Sequence, residues 1–156
     1  MRKKLVSIGL LGLLIFGAGT FAAFAGDSLY GTVTEVKRAD VVVLDYGKGR
    51  YNVRIIGIDV PRDATRAAQA KEFVARLVLR KNVRLRFEGR NKNGEMVGRL
   101  QTDDREIGIK DVGLELVKAG MARRQANYDY KNRALSAAED EARRTKRGLW
   151  SLTQPK

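Results

Sequence analysis

Short runs of β-branched and aliphatic residues, separated by turn residues, fill the chain between residues 29 and 58. The turn Tyr46-Gly47-Lys48-Gly49 separates two of these runs, and Pro61 ends the last one because proline cannot donate to a strand ladder. In the last third of the chain, apolar residues recur at helical spacing instead. Strands that come early and helices that come late favour an α+β fold over an alternating α/β fold.

The middle of the chain predicts one helix and one hairpin. Asp63 is placed to cap a helix whose apolar residues recur up to about Leu79. Residues 82–87 then alternate strictly, and a turn at residues 91–94 separates them from a partner strand over residues 96–101. The predicted order is three strands, a helix, two strands and two helices. A five-stranded barrel with a helix between strands 3 and 4 fits an OB-fold, although the pattern alone leaves other topologies open.

The last predicted helix carries two pairs of opposite charges at i,i+4 spacing, Glu139–Arg143 and Asp140–Arg144, which we place on its solvent face. Such pairs stabilise an exposed helix by only about 0.2–0.5 kcal/mol each. Gly148 is the expected end of this helical region.

The first residues have the three parts of a secretory signal peptide. Arg2, Lys3 and Lys4 precede an apolar run over residues 5–25, which ends in Ala23-Phe24-Ala25. We therefore assign residues 1–25 to a signal peptide and residues 26–156 to one folded domain, and we expect export to the periplasm or the cell exterior. The run also has roughly the 20 residues that span a bilayer, so an uncleaved membrane anchor is the alternative. The membrane would then be contacted only through residues 5–25.

The charge and the missing residue types restrict the chemistry. Arg2, Lys3 and Lys4 account for three of the +13 formal charges, so the remainder carries +10, which favours a polyanionic partner. The sequence has no Cys and no His, which excludes disulfide partners, thiolate nucleophiles, Cys/His zinc sites and a Ser–His–Asp triad. A bound metal would need oxygen ligands, which favours Ca²⁺ or Mg²⁺. We expect a monomer.

Six short motifs then occur in a distinctive order. They are Gly31-Thr32-Val33, the run over residues 53–61 that ends Ile58-Asp59-Val60-Pro61, Gly98-Arg99-Leu100, residues 116–122, the set Ala137, Glu139 and Ala142, and Lys146-Arg147-Gly148-Leu149-Trp150. In this order they resemble the staphylococcal nuclease (thermonuclease) family, over about residues 29–151. The resemblance implies an OB-fold barrel with helices, and an activity that hydrolyses DNA and RNA with Ca²⁺.

The resemblance also implies site residues. It places the phosphate-binding arginines at Arg54 and Arg99 and the metal-binding carboxylates at Asp40 and Asp59. Two guanidiniums can donate bidentate hydrogen bonds to the charge that develops on the phosphoryl oxygens. A Ca²⁺ ion held by two carboxylates can polarise the phosphate and lower the pKa of a bound water. Each residue also has an ordinary structural interpretation; Arg99, for example, is spaced to pair with Glu95.

The sequence departs from the family pattern in two places. The family has an Asp-Gly-Asp-Thr motif at the first metal ligand, whereas this chain has Arg38-Ala39-Asp40-Val41, in which a cation appears and the hydroxyl is lost. The family also has Asp-x-Pro-Glu after the third strand, with the glutamate as general base. Arg62 occupies that position here, and a guanidinium has no lone pair to accept a proton. Asp63, one residue further on, is the alternative base.

These observations predict an exported Ca²⁺-dependent phosphodiesterase or endonuclease of impaired activity, with Arg54, Arg99 and Arg62 at the catalytic positions. One alternative is a catalytically inactive nucleic-acid-binding OB-fold domain. Another is an envelope protein whose basic face contacts anionic lipid or polysaccharide. If the partner is DNA or RNA, Arg84 and Arg86 share one face of the fourth strand and are predicted to contact its phosphates.

Overall fold

The computed structural model describes residues 28–102, 108–128 and 133–151, so the predicted signal peptide lies outside the described residues. None of the helices in these three ranges is both long enough and apolar enough to cross a bilayer. In chain order, the elements are β1 (Ser28–Arg38), β2 (Val41–Asp45), β3 (Arg50–Ile55), β4 (Ile58–Asp59), α1 (Ala64–Val78), β5 (Asn82–Arg90), β6 (Met96–Thr102), α2 (Val112–Lys118), β7 (Arg123–Arg124), α3 (Arg133–Arg144) and a 3₁₀ turn (Gly148–Trp150).

Five of the strands close into a barrel in the order β1-β2-β3-β6-β5. Neighbouring strands are antiparallel, except that β3 and β6 run parallel. Helix α1 separates the third barrel strand from the fourth, and α2 and α3 follow the barrel. The predicted α+β fold, a five-stranded OB-fold barrel with one inserted helix and two C-terminal helices, is therefore confirmed. Closure leaves no free sheet edge on the barrel.

Aliphatic side chains fill the barrel and the space between the barrel and α1. Leu85 and Leu100 are fully buried inside the barrel, and α1 contributes Ala70, Val74 and Val78, which recur every four residues on one face. Burial of a leucine side chain contributes about 1.5–3 kcal/mol. The barrel is thus a rigid frame for the side chains at its rim.

Two hydrogen bonds, one between backbone groups and one to a side chain, fix one part of that rim. The turn between β1 and β2 is tied to the end of β3, because the Ile55 N–H donates to the Asp40 carbonyl oxygen at 2.8 Å. The start of α1 is fixed by Asp63, whose Oδ1 accepts from the Arg66 N–H at 2.9 Å, as the sequence predicts. The β1–β2 turn and the start of α1 therefore have defined positions.

A small second sheet also lies at this rim. Strands β4 and β7 pair antiparallel, with Asp59 opposite Arg123. Strands of two residues are too short to show a periodicity, so the sequence does not predict this sheet. The pairing brings the chain after α2 next to the segment that precedes α1.

The prediction that Glu139 lies on the solvent face of its helix is wrong. Its side chain is buried and accepts from Arg124 at 3.1 Å, and its carboxylate also lies 3.5 Å from Arg143. Arg144 pairs with Glu141 instead of Asp140. The cause is tertiary, because β7 brings Arg124 against α3 and supplies the charge that lets a carboxylate be buried.

Candidate functional site

A cleft of about 700 Å³ opens at the rim where the β1–β2 turn, the end of β3, the segment before α1 and one face of α1 meet. Asp40, Arg54, Asp59 and Arg62 all line this cleft. The structure therefore brings together four of the residues that the sequence singles out. They come from the β1–β2 turn, from β3, from β4 and from the segment before α1.

Asp40 is almost fully buried and is surrounded by guanidinium groups. Arg38 donates to it from two nitrogens, with Nε 2.9 Å from Oδ1 and Nη2 2.7 Å from Oδ2. Arg54 Nη1 donates to the same Oδ2 at 2.7 Å. The hydrogen bond with Asp40 raises the pKa of Arg38 above its ordinary value, although burial opposes this. Both carboxylate oxygens of Asp40 are thus engaged by arginine.

Arg54 bridges two carboxylates. Its Nε donates to Glu95 Oε2 at 2.9 Å, while its Nη1 donates to Asp40. Glu95 also accepts from Asn91 Nδ2 at 2.7 Å, and the Asn91 and Arg54 hydrogen bonds hold the pKa of Glu95 below its ordinary value, against a smaller opposing effect of burial. A guanidinium has five N–H donors, so Arg54 is fixed in position by two of them and keeps three for another acceptor.

Three further cations line the cleft without a carboxylate partner. Lys37, Arg62 and Lys71 form no ion pair with any residue in the described ranges. Asp59 is exposed and is likewise unpaired there. With Arg38 and Arg54 included, the lining has five cationic side chains and two carboxylates, a formal excess of three positive charges. The cleft is therefore suited to an anion.

Arg99 lies elsewhere and does not line the cleft. Its Nε and Nη2 lie 3.0 and 2.8 Å from Asp111 Oδ2. Asp111 also caps α2, because its Oδ1 accepts from the Leu114 N–H at 3.0 Å. Arg99 thus links β6 to the start of α2. A catalytic role for Arg99 stays a prediction.

Asp63, the alternative base, faces a neighbouring pocket of about 340 Å³, where it caps α1. Arg84 and Arg86 lie on the outer face of the barrel, away from the cleft lining. Arg84 donates to Ser28 Oγ at 3.0 and 2.9 Å, and its guanidinium lies 5.8 Å from the centroid of the exposed Tyr30 ring. The Arg84 and Arg86 surface is thus separate from the cleft, and its contact with nucleic acid stays a prediction.

The residues that line the cleft do not fit a divalent cation well in this arrangement. Calcium takes six to eight oxygen ligands, and carboxylates are its strongest protein ligands. The described residues contain no group of three or more carboxylates close enough to hold a metal. Of the two carboxylates in the cleft, Asp40 already accepts three hydrogen bonds from arginine, and five cations surround the pair.

Two cations of the cleft lining, Lys37 and Lys71, and a carboxylate that pairs with Arg54, Glu95, were not among the predicted site residues. Lys37 and Lys71 show no signal in the sequence beyond their charge, because Lys37 on β1 and Lys71 on α1 are brought to the same cleft only by the fold. Glu95 carried a signal, since it sits at the start of a strand beside the predicted site. It pairs with Arg54 and not with Arg99, because β3 and β6 are parallel neighbours.

The barrel, its inserted helix and the cleft define an OB-fold domain with a cationic rim. The family model described as "Staphylococcal nuclease homologue" matches residues 52–152. The chain belongs to the staphylococcal nuclease family. The matched region includes Arg54, Asp59 and Arg62 and begins after Asp40.

Three relatives illustrate the family. The chain is similar to the "Probable endonuclease LCL3" of Verticillium alfalfae, with 30% identity over 113 residues, 65% of this chain and 39% of that protein. It is 27% identical over 128 residues to an "Uncharacterized endonuclease" of Escherichia coli O157:H7, 81% of this chain and 80% of that one. It is 25% identical over 131 residues to the "Thermonuclease" of Staphylococcus hyicus, and the match covers 76% of this chain and 74% of that protein. The match thus spans about two fifths of the fungal relative and most of the bacterial ones.

Proposed function

We propose that this chain binds the phosphodiester backbone of DNA or RNA in the cleft at the barrel rim, and that it hydrolyses this backbone slowly. The observation that carries the proposal is the set of unpaired cations, Lys37, Arg62 and Lys71, beside an arginine held in place by two carboxylates. Membership of a family with relatives named as nucleases supports nucleic acid as the polyanion.

The geometry accounts for binding. A phosphodiester carries one negative charge and accepts hydrogen bonds on two oxygens. Arg54 is already immobilised, so its three remaining N–H groups can donate with little further loss of side-chain freedom. Arg62, just before α1, and Lys71, on α1, add further positive charge to the cleft lining. Each charge-assisted hydrogen bond of this kind contributes about 1.5–3 kcal/mol.

The same geometry accounts for slow hydrolysis. Arg62 occupies the position that the family resemblance gives to the general base, and a guanidinium cannot take a proton from water. General-base assistance contributes about 10²–10⁴-fold to a rate, and this chain lacks it at that position. The guanidiniums still stabilise charge that develops on the phosphate, so a residual rate is expected.

Calcium-dependent hydrolysis is the second candidate function. One observation favours it, namely that Asp59 presents an exposed carboxylate to the cleft without an ion-pair partner among the described residues. The relatives named endonuclease and thermonuclease support the hydrolysis part of this candidate. The arginine contacts of Asp40 weigh against it.

We also propose that the protein acts outside the cytoplasm. The basic start, the apolar run over residues 5–25 and the Ala23-Phe24-Ala25 ending support export. A single domain with a +10 charge is then available to extracellular or periplasmic nucleic acid.

The two candidate functions are separated by one experiment. Purified protein is mixed with labelled single-stranded DNA, duplex DNA and RNA, in Ca²⁺ and in a chelator, and both anisotropy and cleavage on gels are followed. The proposal expects binding that persists in the chelator and weakens with salt, with little cleavage. Rapid cleavage that appears only with Ca²⁺ would establish the second candidate instead. An absence of binding at low salt would overturn both.

A further inference from the structure

A second pocket, of about 340 Å³, adjoins the cleft. Residues 59–62 line both cavities, so this short segment is the wall between them. The far side of the second pocket is formed by Arg66, Arg123 and Leu149, from the first turn of α1, from β7 and from the 3₁₀ turn. Three separate parts of the fold therefore meet next to the proposed phosphate site.

We propose that this second pocket is a subsite for the phosphate that follows, along the same strand, the one held in the cleft. The inference rests on the proposed function. It assigns the nucleic acid a path over the segment at residues 59–62, with Arg62 between the two phosphates and Arg66 and Arg123 around the second.

The charges of the pocket support this assignment. Arg62, Arg66 and Arg123 all line it, and none of them forms an ion pair within the described ranges. The pocket also contains Asp59 and Asp63, which leaves a formal excess of one positive charge. Asp63 directs one carboxylate oxygen to the backbone of α1, where it stabilises the helix start. The three guanidiniums are thus the groups available to an incoming anion.

Arg123 contacts an aromatic ring and forms no ion pair among the described residues. Its guanidinium carbon lies 5.2 Å from the centroid of the Trp150 ring. A cation–π contact uses the face of the guanidinium plane, whereas hydrogen bonds are donated from its edge. Trp150 is itself fixed by a second guanidinium, because Arg143 lies 4.1 Å from the same centroid on α3. The aromatic contact restricts Arg123 without neutralising it.

The pocket continues into an apolar depression that suits a sugar or a base. Pro61, Arg66 and Leu149 line both the second pocket and a small cavity of about 60 Å³, which Met121 also borders. If a phosphate binds in the cationic pocket, the apolar margin can contact the carbon skeleton of the attached sugar or one face of the attached base. Free inorganic phosphate would use only the cationic part.

The test compares a short ligand with a longer one. The short ligand is a nucleoside monophosphate, whose single phosphate should prefer the cleft, because the cleft has a formal excess of three positive charges and the second pocket an excess of one. The longer one is a labelled single-stranded oligonucleotide. The variants are Arg66→Gln and Arg123→Gln, with Arg76→Gln as a matched control. Arg76 lies on the same helix as Arg66, is exposed, pairs with Glu72 and lines neither cavity.

For each pocket variant we expect roughly tenfold weaker binding of the oligonucleotide. The slope of log affinity against log salt should also fall by about 0.7, the value for one phosphate contact on a single strand. Binding of the monophosphate should stay unchanged, and Arg76→Gln should change neither quantity. Because Arg66 is only partly buried and forms no ion pair among the described residues, its variant is expected to fold normally, and equal thermal unfolding checks this.

The outcomes are distinguishable. If the pocket variants bind the oligonucleotide with the affinity and slope of Arg76→Gln, the subsite is overturned and the proposed function stands. If they weaken the monophosphate by the same factor as the oligonucleotide, Arg66 and Arg123 belong to the first site and a separate subsite is overturned. If the unmodified protein binds neither ligand, the proposed function fails and the subsite fails with it.

Discussion

Under the proposed function, replacement of Arg62 by glutamate should make hydrolysis of the nucleic-acid backbone faster. The substitution changes the cleft from five cations and two carboxylates to four cations and three carboxylates, so the formal excess falls from three charges to one. It also places a proton acceptor where the family resemblance expects the general base. General-base assistance of about 10²–10⁴-fold corresponds to roughly 3–5 kcal/mol of barrier. Loss of the Arg62 contact weakens binding of the substrate, so the gain has to be measured at saturation.

The assay is single-turnover cleavage of a labelled oligonucleotide by excess protein, with Ca²⁺ and with a chelator, across a range of pH. Arg62→Gln removes the cation without adding a base, and Arg76→Glu makes the same charge change outside the cleft. We expect Arg62→Glu to be at least tenfold faster than both controls. Its rate should level off above the pKa of the new carboxyl, whereas the native rate should keep rising with pH. If Arg62→Glu is no faster than Arg62→Gln, Arg62 does not occupy the base position.

Four further outcomes are expected. The hydrogen-bond partners of Glu95 lower its pKa in the folded protein. The stability that the ionised Glu95 contributes is therefore fully present above its ordinary pKa and is lost as the pH falls through the lowered pKa. Thermal unfolding at acid pH should accordingly depend less on pH in Glu95→Gln than in the native protein. Asp63→Ala should lower the free energy of unfolding by about 0.5–2 kcal/mol, because it removes the cap of α1, whereas Asp63→Asn keeps the cap. If Asp63→Asn abolishes the cleavage activity of the native protein, Asp63 is the general base. Replacement of both Arg84 and Arg86 by Ala should reduce the salt slope of nucleic-acid binding, and an unchanged slope would exclude this strand from the interface. Mass spectrometry of protein from an envelope fraction should find Gly26 as the first residue, and an intact N-terminus in the membrane pellet would indicate an anchor.

The barrel was predictable because its strands and helices carry local signals. Residues 82–87 alternate because one face of β5 packs into the barrel, and Val83 and Leu85 are indeed fully buried. Asp63 marks the start of α1 because a capping carboxylate acts on the backbone of its own helix. Patterns of this kind depend on neighbours in the chain, so a single sequence contains them.

The site was predictable only in part, because its charges are paired across the fold. The sequence shows Arg38 near Asp40, but the second guanidinium on Asp40 comes from β3, and only the closed barrel reveals it. Arg99 has the spacing that the resemblance suggests, yet the capping carboxylate of α2, Asp111, holds its side chain. The carboxylate with which an arginine pairs depends on strand order and on how the helices pack against the barrel. Local sequence periodicity predicts neither of these.

The cleft is the central claim, and the salt dependence of oligonucleotide binding tests it most directly. The measurement compares the unmodified protein with the double variant Arg62→Gln/Lys71→Gln, and with a control, Arg76→Gln/Lys118→Gln, that removes the same charges outside the cleft. It is made in a chelator, on a labelled single strand. If each cleft cation contacts a phosphate, the slope of log affinity against log salt should fall by about 1.4 in the cleft variant and stay unchanged in the control. Equal slopes in the two double variants would contradict the account, because the cleft would then contribute no more than charge at any other place on the surface.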